Sequence, residues 1–219
     1  MKKKIFFISL LFFTIVTFGQ EKNEVFKDGE WLKFKMSYSG FLKAGNATLS
    51  LKEEDLNGKK VLHATGKGWT TGMIKWFFKV DDDYQSYFDK KTGKPYLFKR
   101  KIDEGGYKKN RQITFNQDNN TAYVQDFIKQ KDSVISVKGP QDMISTFYFL
   151  RSYNTKEMKK GEEIKVDMFF DDKSYPFKLR FLGHEMLKTK FGKVRTQKFQ
   201  PMVRKRKIFL KYQHPKEND

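Results

Sequence analysis

The stretch that decides the fold is Glu30-Trp-Leu-Lys-Phe-Lys-Met-Ser-Tyr-Ser39. One side of it is apolar and consists of Leu32, Phe34, Met36 and Tyr38. The intervening residues include Lys33, Lys35 and Ser37. Successive side chains of a strand point to opposite faces, so this period of two predicts a half-buried β-strand. The pattern returns at Ala47, Leu49 and Leu51, and we expect the two strands to form an antiparallel hairpin.

The same alternation recurs along the chain. Further strands are predicted at residues 61–66, 80–88, 95–103, 107–115, 121–127, 133–137, 163–170, 175–182 and 194–199. Turn residues separate them. Asn57-Gly58 and Asn119-Asn120 are typical of tight turns, because asparagine and glycine tolerate a positive φ. The sequence therefore predicts an all-β, mainly antiparallel fold, either a curved sheet or a half-open β-barrel.

Two segments depart from this alternation. Gly139-Pro-Gln-Asp142 has the composition of a helix start, and apolar residues then recur at helical spacing. We expect one helix over residues 141–151, packed on or in the sheet. The second segment, residues 72–78, is short and apolar, and its sequence is compatible with a helical turn or with a hydrophobic lip.

The N-terminus has the pattern of a secretory signal peptide. Three lysines precede the predominantly apolar residues 5–18, and the small residue Gly19 follows. A helix of this length spans about 21 Å, which is less than the hydrocarbon core of a bilayer. We expect cleavage between Gly19 and Gln20, and an exported mature chain without a transmembrane segment, either periplasmic or secreted. Residues 20–201 then form a single β-rich domain, and residues 202–219 form a basic tail.

The mature chain is strongly basic. The whole sequence carries a formal charge of +19, and residues 1–19 hold three lysines and no acid, which leaves +16. Lysines alternate with apolar residues, as solvent-facing strand positions do. With the export signal, this distribution argues against nucleic acid as a partner and leaves an anionic envelope surface as a possible one. The sequence has no cysteine, which excludes disulfides, thiolate metal sites and thiol catalysis.

Residue patterns typical of catalysis are weak. The acid runs Asp81-Asp-Asp83 and Asp171-Asp172 lack the spacing and glycine of a calcium loop, and we interpret them as solvated acids that balance nearby lysines. His63 is interpreted as a strand residue with a hydrogen-bond partner, and Glu104 as a turn acid. We predict no catalytic residues, no metal ligands and no cofactor, and therefore a protein that is not an enzyme.

Aromatic residues are the more informative excess, with 23 Phe, 10 Tyr and 3 Trp. They are compatible with an aromatic β-sheet core. They are equally compatible with an apolar ligand, such as a lipid, bound on a curved sheet. An exposed apolar segment at residues 72–78 would be unfavourable unless it covers a ligand or a partner. The candidate ligand-binding residues are Trp69, Met73, Trp76, Phe77 and Phe147.

Several stretches together resemble one family, the exported Bacteroidetes proteins with domain of unknown function 3108 (DUF3108). The stretches are Ser39-Gly-Phe-Leu-Lys-Ala-Gly45, Thr71-Gly-Met-Ile-Lys-Trp-Phe-Phe-Lys-Val-Asp-Asp-Asp-Tyr84, Gly106-Tyr-Lys-Lys109, Gln141-Asp-Met-Ile-Ser-Thr-Phe-Tyr-Phe-Leu-Arg151, Asp167-Met-Phe-Phe-Asp-Asp172 and Phe177-Lys-Leu-Arg-Phe-Leu-Gly183. The resemblance covers residues 28–201 and implies a β-rich envelope domain without assigned catalytic residues.

The C-terminus departs from that family after Pro201. Members of the family continue with more strands, whereas this sequence ends with the basic Arg204-Lys-Arg-Lys207 and a short polar tail. Two explanations remain open at this stage. One is a truncation or a frameshift. The other is a basic tail that docks on anionic lipid.

Two hypotheses for the function follow. The first is a non-enzymatic envelope protein that binds a lipid or another apolar ligand in its curved sheet. The second is a structural or interaction protein that binds anionic envelope polymers or lipid head groups through its basic surface.

Overall fold

The computed structural model describes residues 26–38, 42–189 and 191–202, and these ranges contain eleven strands and two helices. The strands are β1 (Trp31–Tyr38), β2 (Leu42–Leu56), β3 (Lys59–Thr70), β4 (Asp81–Phe88), β5 (Pro95–Glu104), β6 (Tyr107–Asn116), β7 (Thr121–Asp126), β8 (Lys131–Ser136), β9 (Glu163–Phe170), β10 (Lys173–Thr189) and β11 (Gly192–Met202). The helices are α1 (Ile74–Phe77) and α2 (Met143–Ser152). The predicted signal peptide, the cleavage site between Gly19 and Gln20, and residues 203–219 lie outside the described residues.

The larger sheet contains eight strands that follow one another in chain order, β1 to β8, and every neighbouring pair is antiparallel. The turn between β2 and β3 is formed by Asn57 and Gly58, whose φ angles are 53° and 81°. Asn120, between β6 and β7, has a φ of 51°. The positive φ values confirm both turn predictions. The predicted fold class, mainly antiparallel β-structure that stays open and carries one packed helix, is also confirmed.

One face of this sheet, which we call the inner face, carries the core. A single row of paired, buried residues crosses six strands and consists of Leu51, Ala64, Ser86, Phe98, Ile113 and Val124. These residues share a face because directly paired positions of an antiparallel sheet point the same way. The alternating apolar positions of the sequence therefore become one continuous hydrophobic surface.

Helix α2 covers the middle of the inner face. Its N-cap residue is Asp142, whose Oδ1 accepts hydrogen bonds from the backbone N–H groups of Ile144 and Ser145 at 2.8 Å. The Ser145 hydroxyl accepts one from the Asp142 N–H in return, which completes a capping box. Tyr148, in the middle of the helix, is fully buried and packs on Phe88, with ring centroids 5.3 Å apart. The predicted helix is thus present, but it starts two residues later than expected because Gln141 forms a β-bridge with Met168.

The smaller sheet has the order β11-β10-β9 and reaches the core through β9. Phe169 is fully buried and contacts Phe115 of the larger sheet edge to face at 6.0 Å. β9 pairs with β10 only as far as Arg180, whereas β11 follows β10 to Thr189. Residues 183–189 and 192–198 therefore form a two-stranded arm beyond the three-stranded part.

The turn between β9 and β10 holds the two sheets together electrostatically. The Asp171 carboxylate accepts hydrogen bonds from Arg100 at 2.8 Å and from Lys109 at 2.6 Å, both on the larger sheet. Burial opposes ionisation of Asp171, but the hydrogen bond and charge of Lys109, with the charges of Arg100 and Arg111, outweigh it and lower its pKa. The second acid run is therefore an inter-sheet ion-pair cluster rather than a solvated strand end.

Neither helix in the described ranges is long and apolar enough to cross a bilayer.

Candidate functional site

Helix α2 covers the inner face only up to a point between Gly66 and Gly68 of β3. A Cβ atom added at Gly66 would lie 3.2 Å from Ile144 Cδ1 of helix α2. A Cβ atom added at Gly68 would meet no atom within 4 Å. Two residues of a strand rise about 6.6 Å, so the sheet changes from covered to open over that distance. The part that helix α2 leaves uncovered, which we call the open section, consists of Phe34, Met36, Ala47 and Gly68, together with Gly45, which is buried under Met36.

Two apolar side chains of β1 form the wall of the open section. Phe34 pairs with Ala47, and Met36 pairs with Gly45, which places both side chains on the inner face. Phe34 is 47% exposed and Met36 is 46% exposed. The sequence predicted a half-buried strand, and the structure leaves these two residues more accessible because helix α2 does not extend over them.

Small residues form the floor of the open section for a steric reason. A Cβ atom at Gly45 would lie 2.5 Å from the carbonyl oxygen of Trp69 and 3.2 Å from Met36 Cε. Gly45 therefore has no room for a larger residue, and the Met36 side chain lies across it. The open section continues into a cavity of about 380 Å³ at the end of β1 and β2. That cavity is lined by Lys35, Met36, Ser37, Lys43, Gly45, Asn46 and Thr71.

The carboxyl groups of Asp82 and Glu104 form a pair beside the open section. Asp82 pairs with Gly68 across β3 and β4 and is only 8% exposed. Burial raises the pKa of Asp82 to about 6, and a hydrogen bond with Glu104 and the charge of Glu104 raise it further. The backbone N–H of Asp103 and the charge of Arg100 act in the opposite direction. The interpretation of all three residues 81–83 as solvated is therefore wrong for Asp82, whose side chain points inward.

The short helix α1 projects at the same end of the sheet. Trp76 is 86% exposed, Phe77 is 85% exposed and Met73, which precedes the helix, is 64% exposed. The segment is fixed next to the open section, since the Thr71 N–H donates to the Ala44 carbonyl at 3.1 Å. Residues 72–78, for which the sequence allowed a helical turn or a hydrophobic lip, form a helical turn whose aromatic side chains face outward.

The structure brings together three of the five predicted ligand-binding residues. Met73, Trp76 and Phe77 share one exposed surface on and next to α1. Trp69 lies on the opposite face of the sheet from Gly68, because neighbouring residues of a strand point to opposite sides. Its half-buried side chain is thus separated from the open section by the sheet itself.

Phe147 is also distant from α1. Its ring lies 5.6 Å from the guanidinium carbon of Arg151, which pairs with Glu30. The Leu51 N–H donates to the Glu30 carbonyl. Leu51 lies six residues from Gly45 along β2, so the end of the sheet near Phe147 and the end near α1 are about 20 Å apart. Phe147 and the aromatic residues of α1 therefore do not line one compact pocket.

The remaining polar candidates have structural partners. His63 Nδ1 lies 2.9 Å from Glu54 Oε1, and its ring stacks on Tyr87 with centroids 4.0 Å apart. Within the described ranges, no group of three or more histidine or acidic side chains is placed to hold a metal ion. The open section therefore presents a small apolar surface on the inner face, with the Asp82 and Glu104 pair at its margin.

Sequence reasoning did not select Phe34, Met36 or Asp82 as site residues. A signal for Asp82 was present, since Asp82, Tyr84, Ser86 and Phe88 alternate and the last of these is apolar. The exposure of Phe34 and Met36 had no sequence signal, because it depends on where a helix more than 100 residues later begins.

Comparisons with other proteins give a family and a distant structural likeness. No match was found among curated proteins. A crystal structure described as a beta-barrel-like protein of domain of unknown function DUF1849 from Brucella abortus is similar at 11% identity and a TM-score of 0.48, over 74% of this chain and 70% of that one. A family model described as protein of unknown function (DUF3108) matches residues 33–217, beyond Pro201, where the resemblance was expected to end. The match spans more than half of the sequence, and the chain belongs to the DUF3108 family.

Proposed function

We propose that this protein is an exported, non-enzymatic envelope protein that binds a lipid or another elongated apolar ligand in the open section. The observation that carries the proposal is the end of the cover between Gly66 and Gly68. Beyond it, the hydrophobic inner face continues through Phe34 and Met36 without a packed element of the described chain above Gly68. An apolar ligand there would remove this surface from water, which is the main driving force for such binding.

The shape of the open section favours a narrow ligand. Ala47 and Gly68 leave the backbone partly accessible, so a hydrocarbon chain can approach it closely beside the walls formed by Phe34 and Met36. Asp82 at the margin supplies a polar group. With a pKa of about 6, its carboxyl is mostly ionised at pH 7 and therefore accepts hydrogen bonds there. A ligand with an apolar body and a hydrogen-bond donor at one end matches this arrangement.

The first experiment asks whether a ligand is present. The purified protein is denatured, extracted with organic solvent and analysed by mass spectrometry. We expect a co-purified apolar molecule. Repeated extraction without one, together with failure to bind the fluorescent probe 11-dansylaminoundecanoic acid, would overturn the proposal.

The second experiment places the ligand. Gly68→Leu adds a side chain into the empty space above β3, and we expect the probe affinity to fall about tenfold or more. Lys67→Leu is the matched control, since Lys67 is the preceding residue, points to the other face and is exposed. Its affinity should stay within about twofold of the parent. Equal affinities of Gly68→Leu and the parent, with both folded by circular dichroism, would exclude the open section.

The proposed export has its own test. Fractionation of cells that express the full sequence, followed by N-terminal sequencing, should recover a chain that begins at Gln20 outside the cytoplasm. An intact Met1 on cytoplasmic material would contradict the export.

The alternative function uses the basic surface. The observation in its favour is that Lys35 and Lys43 both line the cavity at the end of β1 and β2. In this case the protein binds anionic envelope polymers or lipid head groups. Binding to lipopolysaccharide that disappears at high salt would support it, because exposed charges are screened. Salt-insensitive binding would favour the apolar ligand instead.

A further inference from the structure

Helix α1 presents large aromatic side chains to solvent at a fixed position. Trp76 and Phe77 are 86% and 85% exposed, and Phe78 at the end of the helix is 50% exposed. Exposed single apolar residues are common on proteins, but contiguous exposed aromatic residues mark interaction surfaces. Trp76 and Phe77 contribute little to the core, so their rings are available for a contact outside the fold.

The segment that carries them is held rigidly at both ends. The Thr70 N–H donates to the Val80 carbonyl at 3.2 Å, and the Val80 N–H donates to the Thr70 hydroxyl at 2.9 Å. The Gly105 N–H donates to the Lys79 carbonyl at 2.8 Å. The Phe78 ring lies against Gly105, where an added Cβ atom would overlap it. The aromatic side chains of α1 are thus positioned in advance, which lowers the ordering cost of any contact they make.

Basic residues surround this aromatic turn. Lys75 lies within α1, and Lys79 follows it. Lys35 and Lys43 line the adjacent cavity together with Thr71. All four lysines are exposed. Lys79 lies 3.9 Å from Asp103, so part of its charge is balanced, and Asp81 is a further exposed acid at this end. Asp82 and Glu104 add acidic groups on the inner face at this end. Lys101 and Lys108, which pair with Asp83 and Asp103 across the strands, are exposed and add basic charge, so the exposed side chains at this end carry more positive than negative charge.

We propose that α1 and its surrounding lysines dock the protein on an anionic lipid bilayer, with Trp76 and Phe77 inserted at the level of the head groups. Tryptophan and phenylalanine on one side with lysines around them is the composition of interfacial membrane anchors. The lysines meet the negative surface while the rings reach the boundary of the acyl chains. The occupant is thus a membrane surface rather than a soluble ligand.

This contact would also orient the molecule. The open section ends at Met36 and Gly45, and the Gly45 partner Thr70 is the last residue of β3 before the α1 segment. A bilayer in contact with α1 therefore lies at the end of the open section. The docking contact stands independently of ligand binding in that section, since it uses different side chains.

The first test is co-sedimentation with vesicles. The purified protein is mixed with vesicles of phosphatidylcholine that contain phosphatidylglycerol, and with pure phosphatidylcholine vesicles. We expect binding to the anionic vesicles that weakens with added NaCl. Trp76→Ser/Phe77→Ser should reduce it about tenfold or more, and Lys75→Glu/Lys79→Glu should do the same. Because Trp76 and Phe77 are exposed, the first variant should keep the thermal midpoint of the parent.

The matched control removes the same kind of side chain elsewhere. Trp31 and Phe127 are 59% and 50% exposed and lie outside the α1 segment. Trp31→Ser/Phe127→Ser should bind anionic vesicles within about twofold of the parent. The proposal is overturned if the parent does not bind anionic vesicles, or if both double serine variants bind equally well. Binding that is equal for neutral vesicles would overturn the role of the lysines.

The second test follows the tryptophan itself. Trp31→Phe/Trp69→Phe leaves Trp76 as the only tryptophan of the chain. Its emission should shift to the blue on anionic vesicles and be quenched by brominated phospholipid. An unshifted, unquenched emission on vesicles that sediment the protein would overturn the insertion. Failure here is separable from failure of ligand binding, since Gly68→Leu should lose affinity for the dansyl probe and still dock normally on anionic vesicles.

Discussion

The hydroxyl of Ser86 donates a hydrogen bond of 2.6 Å to Oδ2 of Asp142, and this contact joins the middle of the larger sheet to the start of helix α2. Both residues are fully buried. The other carboxylate oxygen caps the helix, so one side chain fixes where α2 begins and how it sits on the inner face. The helix position in turn determines where the open section starts.

Asp142→Ala should therefore lower the free energy of unfolding by about 1 to 3 kcal/mol, because it removes the cap and leaves the buried Ser86 hydroxyl without its acceptor. Urea denaturation measures the change. Asp118→Ala, at an exposed turn, serves as the control and should have little effect. Equal midpoints for the two variants would contradict the role of Asp142.

Stability should also depend on pH in a defined direction. Burial raises the pKa values of both Asp82 and Asp142 from 3.8 to about 6. The pKa values of Asp89, Asp126, Glu163 and Asp171 are lowered, and these groups give the opposite slope at lower pH. Between about pH 5 and pH 6 the folded state binds more protons than the unfolded state through Asp82 and Asp142, so the free energy of unfolding should fall as the pH rises through that window. Asp82→Asn should flatten the slope, and Asp118→Asn should not. A stability that rises across this window would contradict the assignment.

The inter-sheet ion pairs should matter more than exposed ones. Asp171→Ala leaves Arg100 and Lys109, which are 12% and 13% exposed, without their carboxylate. We expect a loss of about 2 to 4 kcal/mol, below the upper end for buried pairs because Asp171 itself is 37% exposed. Glu185→Ala removes the exposed pair with Lys198 and should cost less than about 1 kcal/mol. Similar losses in denaturant titrations would show that Asp171 does not join the sheets.

Gly105 should tolerate no side chain. Its φ is 55°, and an added Cβ atom would overlap the Phe78 ring. Gly105→Ala should destabilise the protein by more than about 1 kcal/mol, through both backbone strain and the clash. Gly106→Ala is the control, because its φ is 91° but its surroundings are open, so only the backbone strain applies. Thermal melts that rank Gly106→Ala as equally destabilising would remove the clash as a cause.

For Tyr148 we expect a substitution that does not lower the stability. Its hydroxyl is buried, and no hydrogen-bond partner lies near it among the described residues; burial, with the charge of Glu30, raises its pKa to about 12. Tyr148→Phe removes a polar group without a partner, so the free energy of unfolding should stay the same or rise by up to about 1 kcal/mol. Tyr123→Phe, which removes a hydrogen bond to Asp132, should not stabilise. A clear loss for Tyr148→Phe would show that the hydroxyl has a partner.

Local patterns in the sequence were sufficient for the strands, turns and helix. The alternation at Glu163–Phe170 predicted β9 with the bounds that the structure has, and Asn57-Gly58 predicted the β2–β3 turn. Such features depend on residues close together in the chain. The same alternation could have placed Trp69 and Gly68 on opposite faces.

Features that depend on distant residues were not predictable in this way. Asp171 finds Arg100 across 71 positions of sequence, and no local pattern distinguishes such an acid from a solvated one. The exposure of Phe34 and Met36 likewise depends on the extent of α2. Whether Trp69 and Phe147 take part in ligand binding stays a prediction, although Trp69 lies on the opposite face of the sheet from the open section and Phe147 lies far from α1.

The chain order of the larger sheet has a consequence for how the protein forms. Since each of its eight strands pairs with the strand that precedes it, every pairing closes a short loop, and contact order within the sheet stays low. A nascent polypeptide delivered from its N-terminal end can add each strand to the one already in place. Only the docking of β9 and helix α2 has to wait for the rest.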